Sequence, residues 1–411
     1  MTGATGTAGV LAHGIGGRSD LPIPLFYAYA GAFAALVVSF LALGLLWADS
    51  RFHGDRAGRV LPLRPPARPS RVLTLLAVAY TLGWVVAGPA DGNAGPYLVY
   101  VLFWVGLVPA SLLFGPVWRV LNPFRLLPDR PRAPLPPRLG YWPAAVGLLA
   151  FTWMELVAPE PAAPATLLVF CGLYGTAQLA GTLVYGHAWL SRGDPFEVYS
   201  TLIGHLSPLG RRPDGKPVLR NPFDGLDALE PAPGLVATVC VLLGGTGYDG
   251  FSSSPAWLNV LQSGSLGKAG LGTLGLLGAI AGVAVLYGAC LGLAGLIGGT
   301  RGLAPRFAHS LVPIAIGYLI AHYFSLLVIE GQRAIILSLG LDASVDQNVV
   351  SPATIATVQV LAIVIGHVVG VVAAHDRSVR LLRPDRAVAG QIPLFVLMIC
   401  YTIGGLTLLF A

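Results

Sequence analysis

The chain has 411 residues, of which 55% are hydrophobic and only 11% charged, and its mean hydropathy is +0.72. Soluble domains carry roughly 25% charged residues, so this composition excludes an ordinary water-soluble enzyme and indicates a protein built for a lipid bilayer. The net charge of +6 is assigned to loops lying against anionic headgroups; no nucleic-acid partner is expected, because no basic soluble domain is legible.

A bilayer-crossing helix needs about 20 mostly apolar residues. In chain order, ten segments meet or approach that length: 24–47, 72–87, 97–117, 142–157, 165–189, 235–247, 271–298, 307–329, 353–374 and 392–410. The second, fourth and sixth are short enough to be tilted, broken or partly re-entrant. Pro109, Pro313 and the glycine-rich seventh segment predict close packing with local kinks, since neighbouring helices can satisfy freed carbonyls. The expected fold class is therefore all-α: a polytopic membrane helix bundle of about ten spans forming one domain, residues 23–411, behind an N-terminal tail, residues 1–22.

The basic residues supply an orientation. Of the 25 Lys and Arg, 22 fall in alternate gaps between the apolar segments, and only Arg18, Lys268 and Arg333 lie on the other side. Because basic loops stay cytoplasmic, both termini are expected outside the cytoplasm, in a cell (plasma) membrane protein. The four cysteines, Cys171, Cys240, Cys290 and Cys400, stand singly within apolar segments and read as small buried residues without disulfide or metal spacing.

One connection differs from the rest. Residues 191–234 are expected to form a cytoplasmic interfacial segment, and within it DPFEVYSTLIGHLSPL (194–209) has a helix start: Asp194 as N-cap, Pro195 at the first helical position, Glu197 at the third. This helix is too short and polar to cross. It either lies at the cytoplasmic surface or tucks back into the protein.

Ionisable residues inside spans are costly and mark functional candidates. Four stand out: Glu155, His322, Glu330 and His367. His322 and His367 sit near mid-depth of consecutive helices and could face each other, and Glu330, at i+8 from His322, rotates only about 80° from it. Such a site could hold a metal ion or move protons; each histidine could equally be a packed helix contact. On the outer face, GGTGYDGFSSSP (244–255) reads as a glycine-rich loop offering Asp249 and Ser252 as oxygen ligands. HGIGGRSDLPIP (13–24) is a second outer cluster, with His13, Arg18 and Asp20. The cytoplasmic side gathers His187, Asp194, Glu197, His205, His309, His375 and Asp376 with Arg211 and Arg212; His205, between Gly204 and Ser207-Pro208, is the least easily assigned to loop polarity.

Taken together, HGIGGRSDLPIP, GPVWRVLNPFR (115–125), FEVYSTLIGHLSPLGRR (196–212), GGTGYDGFSSSP, AHYFSLLVIEGQ (321–332) and GHVVGVVAAHDR (366–377) resemble the multi-span membrane proteins labelled fenitrothion hydrolase, over nearly the whole chain. The resemblance implies hydrolysis of an apolar phosphotriester reaching the site from the bilayer, with a divalent ion such as Zn polarising the phosphoryl group and generating hydroxide. His322 and His367 would be the nitrogen ligands, Glu330 or Asp249 the carboxylate, Tyr323 or Ser252 a donor to the leaving group, and His205 a further catalytic candidate. Two other classes fit the pattern. Ten spans divide into two halves of five, as in carriers with inverted repeats, and His322 with His367 could be axial ligands of a haem in a redox subunit.

Overall fold

The structure, a computed structural model, describes residues 24–56, 58–62, 67–89, 91–211 and 215–410. The N-terminal tail with His13, Arg18 and Asp20 lies outside the described residues, as do Arg64 and Arg212. The architecture is an all-α polytopic bundle. Its helices are α1 (Leu25–Leu46), α2 (Ala67–Ala87), α3 (Gly95–Phe114), the short α4 (Val117–Leu121), α5 (Trp142–Leu156), α6 (Pro164–Tyr185), α7 (His187–Gly193), α8 (Pro195–Gly204), α9 (Pro222–Asp227), α10 (Leu235–Ser252), α11 (Pro255–Ser263), α12 (Gly267–Gly298), α13 (Ala304–Leu339), α14 (Pro352–Leu381) and α15 (Ala387–Phe410). Strands β1 (Arg59–Val60), β2 (Leu209–Arg211) and β3 (Pro217–Leu219) form a small antiparallel sheet in the order β1-β3-β2.

Among the described residues, nine helices are long and apolar enough to cross a membrane. Their outer faces carry large apolar side chains such as Leu45, Leu46, Leu296 and Phe26, which only a lipid environment accommodates over so many helices. The tenth expected span, α5, has 15 residues, about 22 Å by helical rise, and falls short of a hydrocarbon core of about 30 Å. It is nonetheless internal. The Tyr141 N–H at its start donates to the Pro233 carbonyl at 2.7 Å, while Val157 at its end packs with Tyr248 of α10 and Leu276 of α12. So α5 runs parallel to α10 over most of the same depth. The enclosed centre of the bundle is α10 and α13, each with 72% of its apolar window buried, against 6% for α2.

Short side chains set the closest approaches. Across α13 and α14, a methyl group on Gly366 would meet the Pro313 carbonyl at 2.6 Å, and one on Gly370 the Ser310 carbonyl at 2.8 Å; only glycine permits this crossing. The segment expected as an outer glycine-rich loop is corrected by the same physics. Gly244 to Ser252 are helical in α10, because Gly244 abuts the Ile280 backbone and Gly245 abuts Thr152. Close packing on both sides offsets a glycine cost of about 1 kcal/mol per residue in a helix.

The Arg-rich connections gather at one end of the bundle. Arg71 donates to the carbonyls of Val120 and Arg125, Arg377 and Arg380 bind Asp227, and the Asp376 carboxylate accepts the Ser50 hydroxyl and the Arg51 N–H. The short helices in these connections begin repeatedly on an Asx-Pro pair. Asn122, Asp194 and Asn221, each followed by Pro-Phe, accept the N–H of Phe124, Phe196 and Phe223 respectively. This is the cap that satisfies a first-turn donor.

Within segment 191–234, the stretch 193–204 does not lie on the surface. Helix α8 spans Pro195–Gly204, shorter than expected, and all its residues but Thr201 are buried. After the turn at Gly186 (φ +65°), α7 leads inward. Asp194 at its tip meets the Tyr174 hydroxyl, eleven residues before the end of α6 and so about 16 Å from it along the helix. Helix α8 then returns, with Gly204 packed on Gly115 and Pro116. Of the two expected placements, the one tucked into the protein is realised, because Phe196, Tyr199 and Leu202 find an apolar lining that the headgroup region would not offer.

Candidate functional site

The fold creates two buried acidic centres. The first lies where α10 faces α13, toward the end of the bundle opposite the Arg-rich one. Asp249, 1% exposed, accepts the Tyr323 hydroxyl at 2.8 Å and pairs with His322, whose Nε2 is 2.8 Å from Oδ2. Neighbours on α13, His322 and Tyr323 point about 100° apart, and Asp249 sits in the angle between them. Tyr318 stacks along His322 with ring centroids 6.4 Å apart. The His322 side chain keeps 11% of its surface exposed, so the centre is not sealed.

A second acid faces this group. Because α5 and α10 run parallel with Thr152 against Gly245, the residues one turn further on, Glu155 and Asp249, oppose each other. Glu155 is 4% exposed. Sequence reasoning singled out both residues but not their opposition, which depends on the register of two helices eighty residues apart. Tyr199 completes the wall: its ring stacks on Trp104 at 4.3 Å, and Trp104 packs on Phe151, one turn before Glu155. Trp104 lies in the π-helical stretch Leu98–Val105 of α3, a distortion often found at functional sites.

The expected convergence of His322 and His367 is not what the structure places. Gly317 of α13 lies against Gly366 and Ala362 of α14, and His322 is five residues on, about 140° around the helix, on the face turned to α10. The His367 ring donates from Nδ1 to the Ile363 carbonyl of its own helix at 2.8 Å. Among the described residues, no three His, Cys, Asp or Glu side chains gather as metal ligands. The donor set therefore does not fit the zinc ion that the resemblance implies, nor do these two rings suit axial haem ligation. Glu330 is likewise elsewhere. Its Oε2 accepts Arg333 Nε at 2.6 Å, and Arg333 lies over the Tyr97 ring at 5.9 Å, so the 80° offset from His322 turns it toward α3. Ser252 returns its hydroxyl to the Asp249 carbonyl of its own helix at 2.8 Å. Of the expected site residues, the structure brings together Asp249, His322 and Tyr323.

The second acidic centre is at the inward tip of the α7–α8 hairpin. Asp194 and Glu197 are both 0% exposed. Asn122 Nδ2 donates to Asp194 Oδ2 at 2.8 Å and to Glu197 Oε2 at 3.0 Å, while the Arg125 guanidinium grips both Glu197 oxygens and donates to Ser191 at 2.9 Å. Burial, aided by the nearby Glu197, pushes the Asp194 carboxyl up to about 7 against the pull of its backbone hydrogen bonds. Sequence reasoning named both acids but missed Asn122 and Arg125; the repeated Asx-Pro-Phe at 122 and 194 was the available signal.

The remaining candidates at the Arg-rich end serve packing. His205 donates from Nδ1 to the Gly225 carbonyl at 2.6 Å, and burial, then Arg220, lowers it to about 4, so it stays neutral near pH 7. The ring nitrogens of His309 face the carbonyls of Arg306 and Ala373. Those of His375 face Gln391 and the Trp47 carbonyl, and His187 meets the Leu127 carbonyl. Asp227 would be raised by burial, but Arg380 and Arg377 hold it down at about 2. No family model matches the chain, and neither a curated protein nor a solved structure shows significant similarity to it.

Proposed function

We propose that the protein is a proton-coupled carrier of the plasma membrane, with Asp249, His322 and Tyr323 as the group that takes up and releases the proton. The observation that carries this reading is a carboxylate, 1% exposed, held by an imidazole and a phenol on the two most enclosed helices. Buried acids within a bundle are expensive and typically belong to ion or proton pathways. Imidazole is suited to exchange a proton near neutral pH. The half-depth α7–α8 hairpin and the π-helical stretch of α3 also support it, since carriers place irregular helices around a central site. The distribution of Lys and Arg puts both termini outside the cytoplasm in this reading.

Proteoliposomes enclosing a pH-sensitive dye test it. Among added amino acids, carboxylates, phosphates and amines, at least one class is expected to drive a pH change inside the vesicles, lost in Asp249→Asn. Silence across all four classes counts against the carrier. Sidedness is read from single cysteines in a cysteine-free background: an impermeant maleimide applied to cells should label Lys268→Cys and spare Arg301→Cys.

A second reading is favoured by the partial exposure of His322. An imidazole backed by a carboxylate and open on one side is the arrangement of a general base, consistent with the hydrolase resemblance and an apolar phosphotriester arriving through the lipid. Release of nitrophenolate from a nitrophenyl phosphotriester, absent in His322→Ala, would replace the carrier by this enzyme.

A further inference from the structure

Four arginines gather where the start of α2 meets α4 and β2, at the Arg-rich end of the bundle. Arg71 donates from Nε to the Val120 carbonyl at 3.2 Å and from Nη1 to the Arg125 carbonyl at 3.3 Å, which sets its guanidinium beside the end of α4, where Arg119 precedes Val120. The α3–α4 turn at Gly115 rests on the Leu209 carbonyl of β2, and Arg211 ends that strand. The charges of Arg68 and Arg211 reach Arg71, and that of Arg119 reaches Arg211, so the four share one patch. Arg68 and Arg119 are exposed, Arg71 and Arg211 half-buried. Acids do not balance them. Glu197, the carboxylate that acts on Arg71, is already gripped by Arg125, and none of the four forms an ion pair with a described Asp or Glu. Burial and then the Arg119 charge both disfavour the protonated form of Arg211, so an anion on the patch relieves a standing repulsion.

What lies beside the charge narrows the anion. On α2, Val72 follows Arg68 and Leu75 follows Arg71 by four residues, so each pair shares a helix face, and Val72 and Leu75 are 47% and 49% exposed. Helix α2 is the least enclosed of the crossing helices, with 6% of its apolar window buried. A cationic cluster continued by a bare apolar ridge matches a molecule with an anionic head and hydrocarbon chains; a nucleotide or a free carboxylate would leave the ridge unused. Guanidinium forks pair bidentately with phosphate oxygens. We propose that Arg68, Arg71, Arg119 and Arg211 bind the phosphate of one anionic diacyl phospholipid, phosphatidylglycerol being the probe, with its acyl chains along α2. Any basic loop is drawn to an anionic surface; this patch adds convergent guanidiniums and a defined path for the chains. The site does not depend on the carrier reading, because a lipid can bind whether or not a substrate moves. Through Arg71 it adjoins Arg125 and hence the hairpin acids, so the bound lipid should stabilise the fold.

The test is thermal unfolding of the detergent-purified full chain with phosphatidylglycerol or phosphatidylcholine added to the micelles. A ligand that binds only the folded state raises the midpoint in a saturable way, so phosphatidylglycerol should add several degrees over phosphatidylcholine. Glycerol phosphate, which carries the head without the chains, should add nothing at the same concentration. Arg68→Gln combined with Arg119→Gln should keep its helical circular dichroism and lose the phosphatidylglycerol gain. Arg132→Gln combined with Arg138→Gln, exposed residues outside the patch, removes the same charge and should retain the gain. Arg119→Gln alone should raise the half-saturating phosphatidylglycerol fraction about fivefold, and this variant decides the matter if the double one does not fold. Equal midpoints in the two lipids, a full gain in the folded Arg68 and Arg119 variant, or an unchanged half-saturation in Arg119→Gln overturn the site. So do equal losses in the two double variants, which would mark a diffuse charge effect, and a gain from glycerol phosphate equal to that from the lipid.

Discussion

Two pairs of buried acids occupy one bundle and are treated in opposite ways. At the tip of the α7–α8 hairpin, Asp194 and Glu197 are met by Asn122, Arg125, Tyr174 and two backbone N–H groups. At the α5–α10 contact, Asp249 is met by His322 and Tyr323, and Glu155 by no hydrogen-bond donor among the described residues. Burial is similar, and what differs is compensation. A buried charge with a full set of partners is a structural staple, and its removal leaves the partners stranded. A buried acid without partners adds little to the fold and is retained for something that comes and goes. The first pair holds the re-entrant hairpin in place; under the proposed function, the second is where exchange of a proton is expected.

The largest effect should come from breaking the staple. Arg125→Ala strands the Glu197 carboxylate in the interior, and such a loss costs about 3–5 kcal/mol; a sharp fall in folded yield and in the midpoint of thermal unfolding is expected. If the variant unfolds like the wild type, the hairpin is not held by this pair. Crowding the hairpin from the other side is next. A methyl on Gly147 would meet the Pro195 ring at 2.8 Å, so Gly147→Ala should cost about 1–3 kcal/mol by overpacking, again read from the midpoint. A neutral result would mean that α8 does not reach this depth.

A smaller effect separates the pairs by pH. With its folded-state value raised to about 7 above the ordinary 3.8, Asp194 holds a proton in the folded chain that the unfolded chain has already lost. Its contribution to stability is therefore fully present below about pH 4 and lost as the pH rises through about 7. Between pH 5 and 8 the unfolding midpoint should drop, and Asp194→Asn, which can still cap α8, should flatten that slope. A slope unchanged in the variant assigns it to another group. The smallest effect is expected at the uncompensated acid. Glu155→Gln should lie within about 1 kcal/mol of the wild type or above it, since an amide is cheaper to bury than a carboxylate, whereas Glu197→Gln should be clearly destabilised. Equal losses in the two variants would erase the distinction between the centres.

The extent to which all this was legible in the sequence follows the range of the interactions. The apolar segments, the alternation of basic loops and the Asp194-Pro195 helix start depend on residues close together in the chain, and nine of the ten expected segments appear as helices of crossing length. Near misses arose where glycine was read by its local preference. Residues 244–252 look like a turn because glycine favours turns, yet they are helical because Ile280 and Thr152 press on them from α12 and α5.

For the site, the chain alone determined which groups are costly in a membrane: Glu155, Asp249, His322, Glu330 and His367 were each visible as ionisable residues in or beside apolar stretches. Which of them meet was decided by tertiary structure. His322 and His367 are on consecutive helices, but the close crossing that Gly317 and Gly366 permit turns His322 away from α14 and onto Asp249. Glu155 opposes Asp249 because α5 and α10 are parallel and in register, and Tyr199 arrives only because α8 folds back inside. Side-chain direction changes by about 100° with each helical residue, so a one-residue shift in packing exchanges one partner for another, and no local pattern records that shift.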